Sequence, residues 1–190
     1  SAAGFAGTSN VGISTSFTNI GAITGTTSGT NTLTGANLAS TWTISAANAG
    51  TYTSTNSLTF SAFQSVVGGT NTDSFSLSGG TLDGSINGGA TGSNTLTADN
   101  VANTWSISGS NAGSVTGVTS GFTNIQNLVG GTNTDSFAFT GGSVATVDGG
   151  ANTNTLNYGA LSSTLNIALT GLGSAAGFAG TSNVGISTSF

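Results

Sequence analysis

Few side chains here could do chemistry. Asp73, Asp83, Asp99, Asp135 and Asp148 are the five acidic residues, and the 190-residue chain has no lysine, arginine, histidine or cysteine. Its serines and threonines have no base to activate them as nucleophiles, so paired carboxylates are the one catalytic arrangement open. Asp73 and Asp135 hold equivalent places in a repeated motif. On stacked windings three strand spacings apart they would stand about 14 Å from each other, whereas paired glycosidase carboxylates stand roughly 5–9.5 Å apart. The other three aspartates have no equivalent acid to join, so no enzyme is expected.

Binding chemistry is the next possibility. The motif "GGTNTDSF", at 68–75 and 130–137, is similar to the calcium-binding RTX nonapeptide G-G-x-G-x-D-x-U-x, which makes Asp73 and Asp135 candidate calcium ligands. Calcium takes six to eight oxygens, several from carboxylates. The further copies "GGATGSNTL" at 88–96 and "GGANTNTL" at 149–156 carry no acid in that place. Corner or solubilising roles for the two aspartates are therefore favoured, and no cofactor is expected, with calcium the alternative. Trp42 and Trp105 could stack on sugars, but each alternates with an isoleucine, the pattern of core packing. The Thr-x-Thr stretches "TWT", "TYT", "TNT" and "TGT" raise ice binding, which needs a flat threonine array on one face. They fall at different places along the windings, so β propensity on an uncharged surface is the favoured account.

Charge narrows the partners further. The formal net charge is −5, with no cation anywhere. Nucleic acid is excluded as a direct partner, an anionic membrane surface is disfavoured, and no run of eighteen or more apolar residues offers a membrane-spanning helix.

The elements that must position these residues come from repetition. Gly, Ser, Thr and Asn fill 116 of the 190 positions. Proline is absent, however, and Val, Ile, Leu, Phe and Trp recur at regular places, which argues for strand and turn rather than disorder. "SAAGFAGTSNVGISTSF" at 1–17 returns unchanged at 174–190, an offset of 173 residues. Within that period "TWTISAANAG" at 41–50 becomes "TWSISGSNAG" at 104–113, and "VGGTNTDSFSLSGG" at 67–80 becomes "VGGTNTDSFAFTGG" at 129–142, offsets of 63 and 62. A damaged third copy, "NTLNYGALSSTLNIALTG" at 154–171, has Leu165 in the tryptophan's place. Against the Phe122 copy, the stretch following Phe17 lacks one block of 18 residues without losing register, implying a modular unit near twenty residues.

Within each unit large apolar residues alternate with small polar ones, the period of a half-buried strand. Trp42, Ile44, Phe75, Leu77, Trp105, Ile107, Phe137, Phe139, Leu165 and Ile167 are the expected core stack. Asn31, Asn71, Asn94 and Asn133 are expected at corners or in ladders, and "GLGSAAGFAG" at 171–180 as a protruding loop. The expectation is an all-β parallel β-solenoid, or β-helix, spanning residues 1–190 as one segment. It would have about eight coils of 20–22 residues per 173-residue period and a rise near 38 Å.

The ordered segments quoted above resemble the charge-poor repeats of giant bacterial surface adhesins, the β-strand-repeat and filamentous-haemagglutinin-like proteins. The resemblance covers essentially the whole chain. It implies a right-handed coil, export, and a place in a long extracellular or cell-surface protein used for attachment, cell–cell cohesion or biofilm. The expected partner is the protein itself, as covalent tandem repeats or a head-to-tail fibre with lateral bundling. The alternative is a binding module, either a degenerate RTX-like calcium-dependent adhesin or a threonine-rich ice binder.

Overall fold

The computed structural model describes residues 4–175 and 177–190, and among them every regular element is a strand. An N-terminal pair comprises β1 (Phe5–Gly7) and β2 (Phe17–Ile20), joined antiparallel. The chain then runs through β3 (Ala22–Thr24), β4 (Thr32–Thr34), β5 (Ser40–Ala46), β6 (Ala49–Thr53), β7 (Ser57–Ser61), β8 (Ser65–Val67) and β9 (Asp73–Leu77). It continues through β10 (Ile86–Asn87), β11 (Thr95–Thr97), β12 (Thr104–Gly109), β13 (Ala112–Val115), β14 (Val118–Thr123) and β15 (Asn127–Val129). Last come β16 (Ser136–Phe139), β17 (Val144–Asp148), β18 (Thr155–Asn157), β19 (Ile167–Leu172), β20 (Phe178–Ser182) and β21 (Ile186–Ser189).

Two large sheets hold most of these strands. The nine-stranded sheet has the order β21-β17-β15-β11-β9-β5-β6-β7-β3, and the eight-stranded sheet β18-β16-β12-β13-β14-β10-β8-β4. The chain alternates between them, laying most strands parallel on the one below. Inward side chains of both sheets, among them Trp42, Phe75 and Leu96 from one and Trp105, Phe137 and Ile86 from the other, form a single core cluster.

Eight uniform windings are not what this chain forms. Where nothing intervenes, a strand lies 19–21 residues from its parallel neighbour, as Phe75 does from Leu96 and Phe137 from Leu156. Elsewhere the step grows to 32–37 residues, because an antiparallel three-stranded meander is folded into the sheet. β5-β6-β7 forms one such meander and β12-β13-β14 the other. The cause is local. Asn48 and Asn111 close each first hairpin with φ of 55° and 54°, a left-handed conformation that asparagine tolerates. A side chain on Gly50 or Gly113 would strike the carbonyl oxygen of Thr43 or Ser106 in the strand opposite, so only glycine fits there. The sequence signature is an Ala-Gly pair followed nine or ten residues after its glycine by phenylalanine. Gly50 opposes Phe60, Gly113 opposes Phe122 and Gly7 opposes Phe17, while Gly180 and Phe190 exchange backbone hydrogen bonds of 2.9 and 3.0 Å.

The two meanders lie in opposite sheets, and so does every strand pair related by the 62–63-residue repeat. β4 and β11, β8 and β15, β9 and β16, β10 and β17, and β11 and β18 each divide between the two sheets. One unit of sequence repeat thus moves the chain to the other face of the same core.

The stretch 171–180 is not a simple loop. β19 and β20 pair antiparallel, from Ile167↔Ser182 to Leu172↔Phe178, as a two-stranded arm separate from the large sheets.

Candidate functional site

Asp73 and Asp135 are both fully buried, at 0 % exposure, which rules out a solubilising role. They belong to opposite sheets: Asp73 opens β9 in the nine-stranded sheet, and Asp135 directly precedes β16 in the eight-stranded one. The expected displacement along a single face is therefore replaced by a crossing between faces.

Each carboxylate is a joint in the wall of the fold. Asp73 Oδ1 accepts from the Ser40 hydroxyl at 2.5 Å and Oδ2 from the Gly69 N–H at 2.9 Å, while the Asp73 N–H donates to Asn94 Oδ1 at 2.9 Å. At the repeat-equivalent place, Asp135 Oδ1 accepts from the Asn103 backbone at 2.9 Å and from its amide Nδ2 at 2.7 Å, and the Asp135 N–H donates to Asn154 Oδ1 at 2.8 Å. Asn103 thus does what Ser40 does. The match stops at the second oxygen: Gly131 takes φ of 140°, and Asp135 Oδ2 and Asn103 Oδ1 are buried without partners. Protein donors meet both oxygens of Asp73, so the pattern that suggested calcium serves strand-to-strand bonding here. No group of three or more His, Cys, Asp or Glu residues comes together among the described residues.

The expected corner asparagines stand in the same hydrogen-bonded seams. Asn94 is buried and Asn31 half-buried; each takes a bond on its backbone N–H from a glutamine carbonyl, Gln64 for Asn31 and Gln126 for Asn94, both at 2.8 Å. Their side-chain amides donate to the carbonyls of Ala62 and Asn124, at 2.9 and 3.0 Å. Asn71 and Asn133 are exposed and tie to the carbonyls of Asn37 and Asn100. Gln64, Gln126, Ser40, Asn103 and Asn154 had not been singled out. Gln64 and Gln126 are the chain's two glutamines, 62 residues apart, and that spacing was the available signal.

Of the expected core stack, Trp42, Ile44, Phe75, Leu77, Trp105, Ile107, Phe137 and Phe139 are buried, with Trp42 stacked on Phe75 and Trp105 on Phe137 at centroid distances of 5.8 and 5.4 Å. Leu165 and Ile167 are not: each is 41 % exposed. β19 leaves the core for the arm it forms with β20, so the damaged third copy does not bury the residues its alignment assigned to the interior.

The threonines assemble more closely than their scattered positions implied. In the nine-stranded sheet, pairing registers Ala22, Thr59, Thr51, Thr43, Ser76, Thr97, Val129 and Asp148 in one outward row. Ser57, Thr53, Thr41, Ser74, Thr95, Asn127 and Thr146 form the row beside it. The meander brings this about, because its antiparallel strands place Thr51 and Thr59 beside Thr43. None of these side chains is buried, and the strands stand about 4.8 Å apart.

Compared with family models, with curated proteins and with solved structures, the chain matches none.

Proposed function

We propose that this chain is a structural repeat of an extracellular bacterial fibre or giant adhesin, of the β-strand-repeat and filamentous-haemagglutinin-like kind. Its architecture on this reading is a right-handed parallel β-solenoid with antiparallel meanders set alternately into its two faces. The observation that carries the reading is the exchange of sheets between repeats. A unit that returns on the opposite face adds strands to both sheets in turn, so successive units lengthen one core without limit. Repeat architectures of this kind gain stability from neighbour to neighbour, and their use is mechanical: a stiff, cation-free rod that holds cells to surfaces or to one another. The partner is the protein itself, and the setting is the cell surface or beyond it.

Isolated fibres imaged by electron microscopy test this. The 173-residue period spreads over eight to nine strands per sheet, so an axial repeat of about 40 Å is expected. Globular particles without axial order would overturn the reading.

The two outward hydroxyl rows support a second reading, that of an ice-binding face. A flat array without charge, held by a rigid sheet, can order water. An ice-recrystallisation assay comparing the unmodified chain with Thr43→Tyr and Thr51→Tyr decides it: inhibition lost in both variants favours this reading, and no inhibition by the unmodified chain sinks it.

A further inference from the structure

We propose that two copies of this chain join end to end by pairing β18 of one with β3 of the other. The pairing is parallel, in the register Thr155↔Ala22, Leu156↔Ile23 and Asn157↔Thr24, and the eight-stranded sheet of one copy runs on into the nine-stranded sheet of the next. This deepens the fibre reading, on which it rests, by naming the joint.

β18 and β3 are terminal strands of different sheets, each with one side unpaired among the described residues. Each carries at its centre an apolar residue, Leu156 or Ile23, only partly buried against the core. Unpaired edges of this kind are templates for another strand. The register follows from the sequence repeat. β18 is the repeat-equivalent of β11, "NTLN" at 154–157 against "NTLT" at 94–97, and β3 is the equivalent of β15, "FTNIGAIT" at 17–24 against "FTNIQNLV" at 122–129. β11 and β15 pair in parallel inside the chain as Thr95↔Asn127, Leu96↔Leu128 and Thr97↔Val129. Carried over to the equivalent residues, that pairing gives the proposed one, and the change of sheet at the joint is the change that every internal repeat makes. Because the joining surfaces differ, the contact is head-to-tail and does not close on itself.

The duplicated seventeen residues fit the same joint. Gly12 and Gly185 both have φ of 78°, and Ser9 and Ser182 each bridge to the backbone of Val11 and Val184 in the same way. Their surroundings differ. Ile186 is 2 % exposed and paired with Val144 of β17, whereas Ile13 is 41 % exposed. The N-terminal copy therefore already holds the shape of the seated one, and at a joint either copy fills the seat beside β17 with the same contacts.

Cysteine pairs introduced at exposed positions of the full chain, which has no cysteine of its own, read out the register. Parallel partners stand about 4.8 Å apart, within disulfide reach. Under mild oxidation Ala22→Cys with Thr155→Cys, and separately Thr24→Cys with Asn157→Cys, are expected to give a ladder of dimers and higher species on a non-reducing gel. Thr24→Cys with Thr155→Cys is two residues out of register, about 7 Å along the strand, and is expected to give about tenfold less. No ladder from either matched pair, or equal ladders from matched and mismatched pairs, overturns the joint. Fibres with the expected axial repeat but without register-specific ladders would overturn the joint alone, whereas failure of the fibre reading shows in the unmodified chain as the absence of axial order.

Discussion

Asp73 and Asp135 occupy the same place in the repeat and yet differ in what a single atom experiences. Replacing Asp73 with Asn puts an amide N–H₂ against either the Gly69 N–H or the Ser40 hydroxyl, both of which donate to the native carboxylate. A buried donor left facing a donor costs about 1–3 kcal/mol. Asp135→Asn keeps both bonds from Asn103 on one oxygen and replaces only the oxygen that has no partner. Thermal melts are expected to fall for Asp73→Asn and to stay level or rise for Asp135→Asn; equal losses would show that the two sites are alike. A corner residue offers a second test. Asn19, Ala62 and Asn124 share a left-handed φ of 59°, 59° and 56°, and at Ala62 the methyl group meets the following carbonyl without asparagine's compensating polar contacts. Ala62→Asn is expected to stabilise by about 1 kcal/mol, a rise of about 2–4 °C in the melting temperature of a chain this size.

Among the elements, the meanders are what the apolar alternation could not reveal. Period two is the same in parallel and antiparallel strands, so Trp42-Ile44 and Tyr52 read as members of separate windings until Gly50 is seen to face Ile44 across a hairpin. Gly50→Val should force a methyl group onto the Thr43 carbonyl and cost about 2–3 kcal/mol. Hydrogen exchange is the suitable measurement because β12-β13-β14 is an internal control: protection is expected to fall across 41–60 and to hold across 104–123. A uniform loss would mean that the two meanders unfold as one unit.

At the scale of the whole molecule the composition becomes a material property. With no lysine or arginine, trypsin has no bond to cut, and with no ion pair available, salt has no native contact to screen. The assembled protein is expected to pass unchanged through trypsin and through moderate salt, judged by gel and by electron microscopy. Because protein donors satisfy both oxygens of Asp73, a chelator is expected to leave the melting temperature where it was. A fall on adding chelator would restore calcium to the account of the GGTNTDSF motif. Truncating the aromatic stack, as in Trp42→Ala, should cost about 3–5 kcal/mol, since Trp42 touches Tyr52, Phe60 and Phe75 in two successive layers.

The sequence by itself determined the all-strand class, the inward row from Trp42 to Phe139, the importance of the asparagine seams and the near-identity of units 62–63 residues apart, because alternation, turn chemistry and repetition are local properties of a chain. Only the tertiary structure decided that repeats exchange sheets, that the conspicuous aspartates lie inside, that scattered threonines stand in continuous rows, and that Leu165 and Ile167 turn outward on an arm. Each of these depends on which strand lies beside which. That choice is made by backbone hydrogen bonds and by contacts between residues tens of positions apart, and no local pattern encodes it.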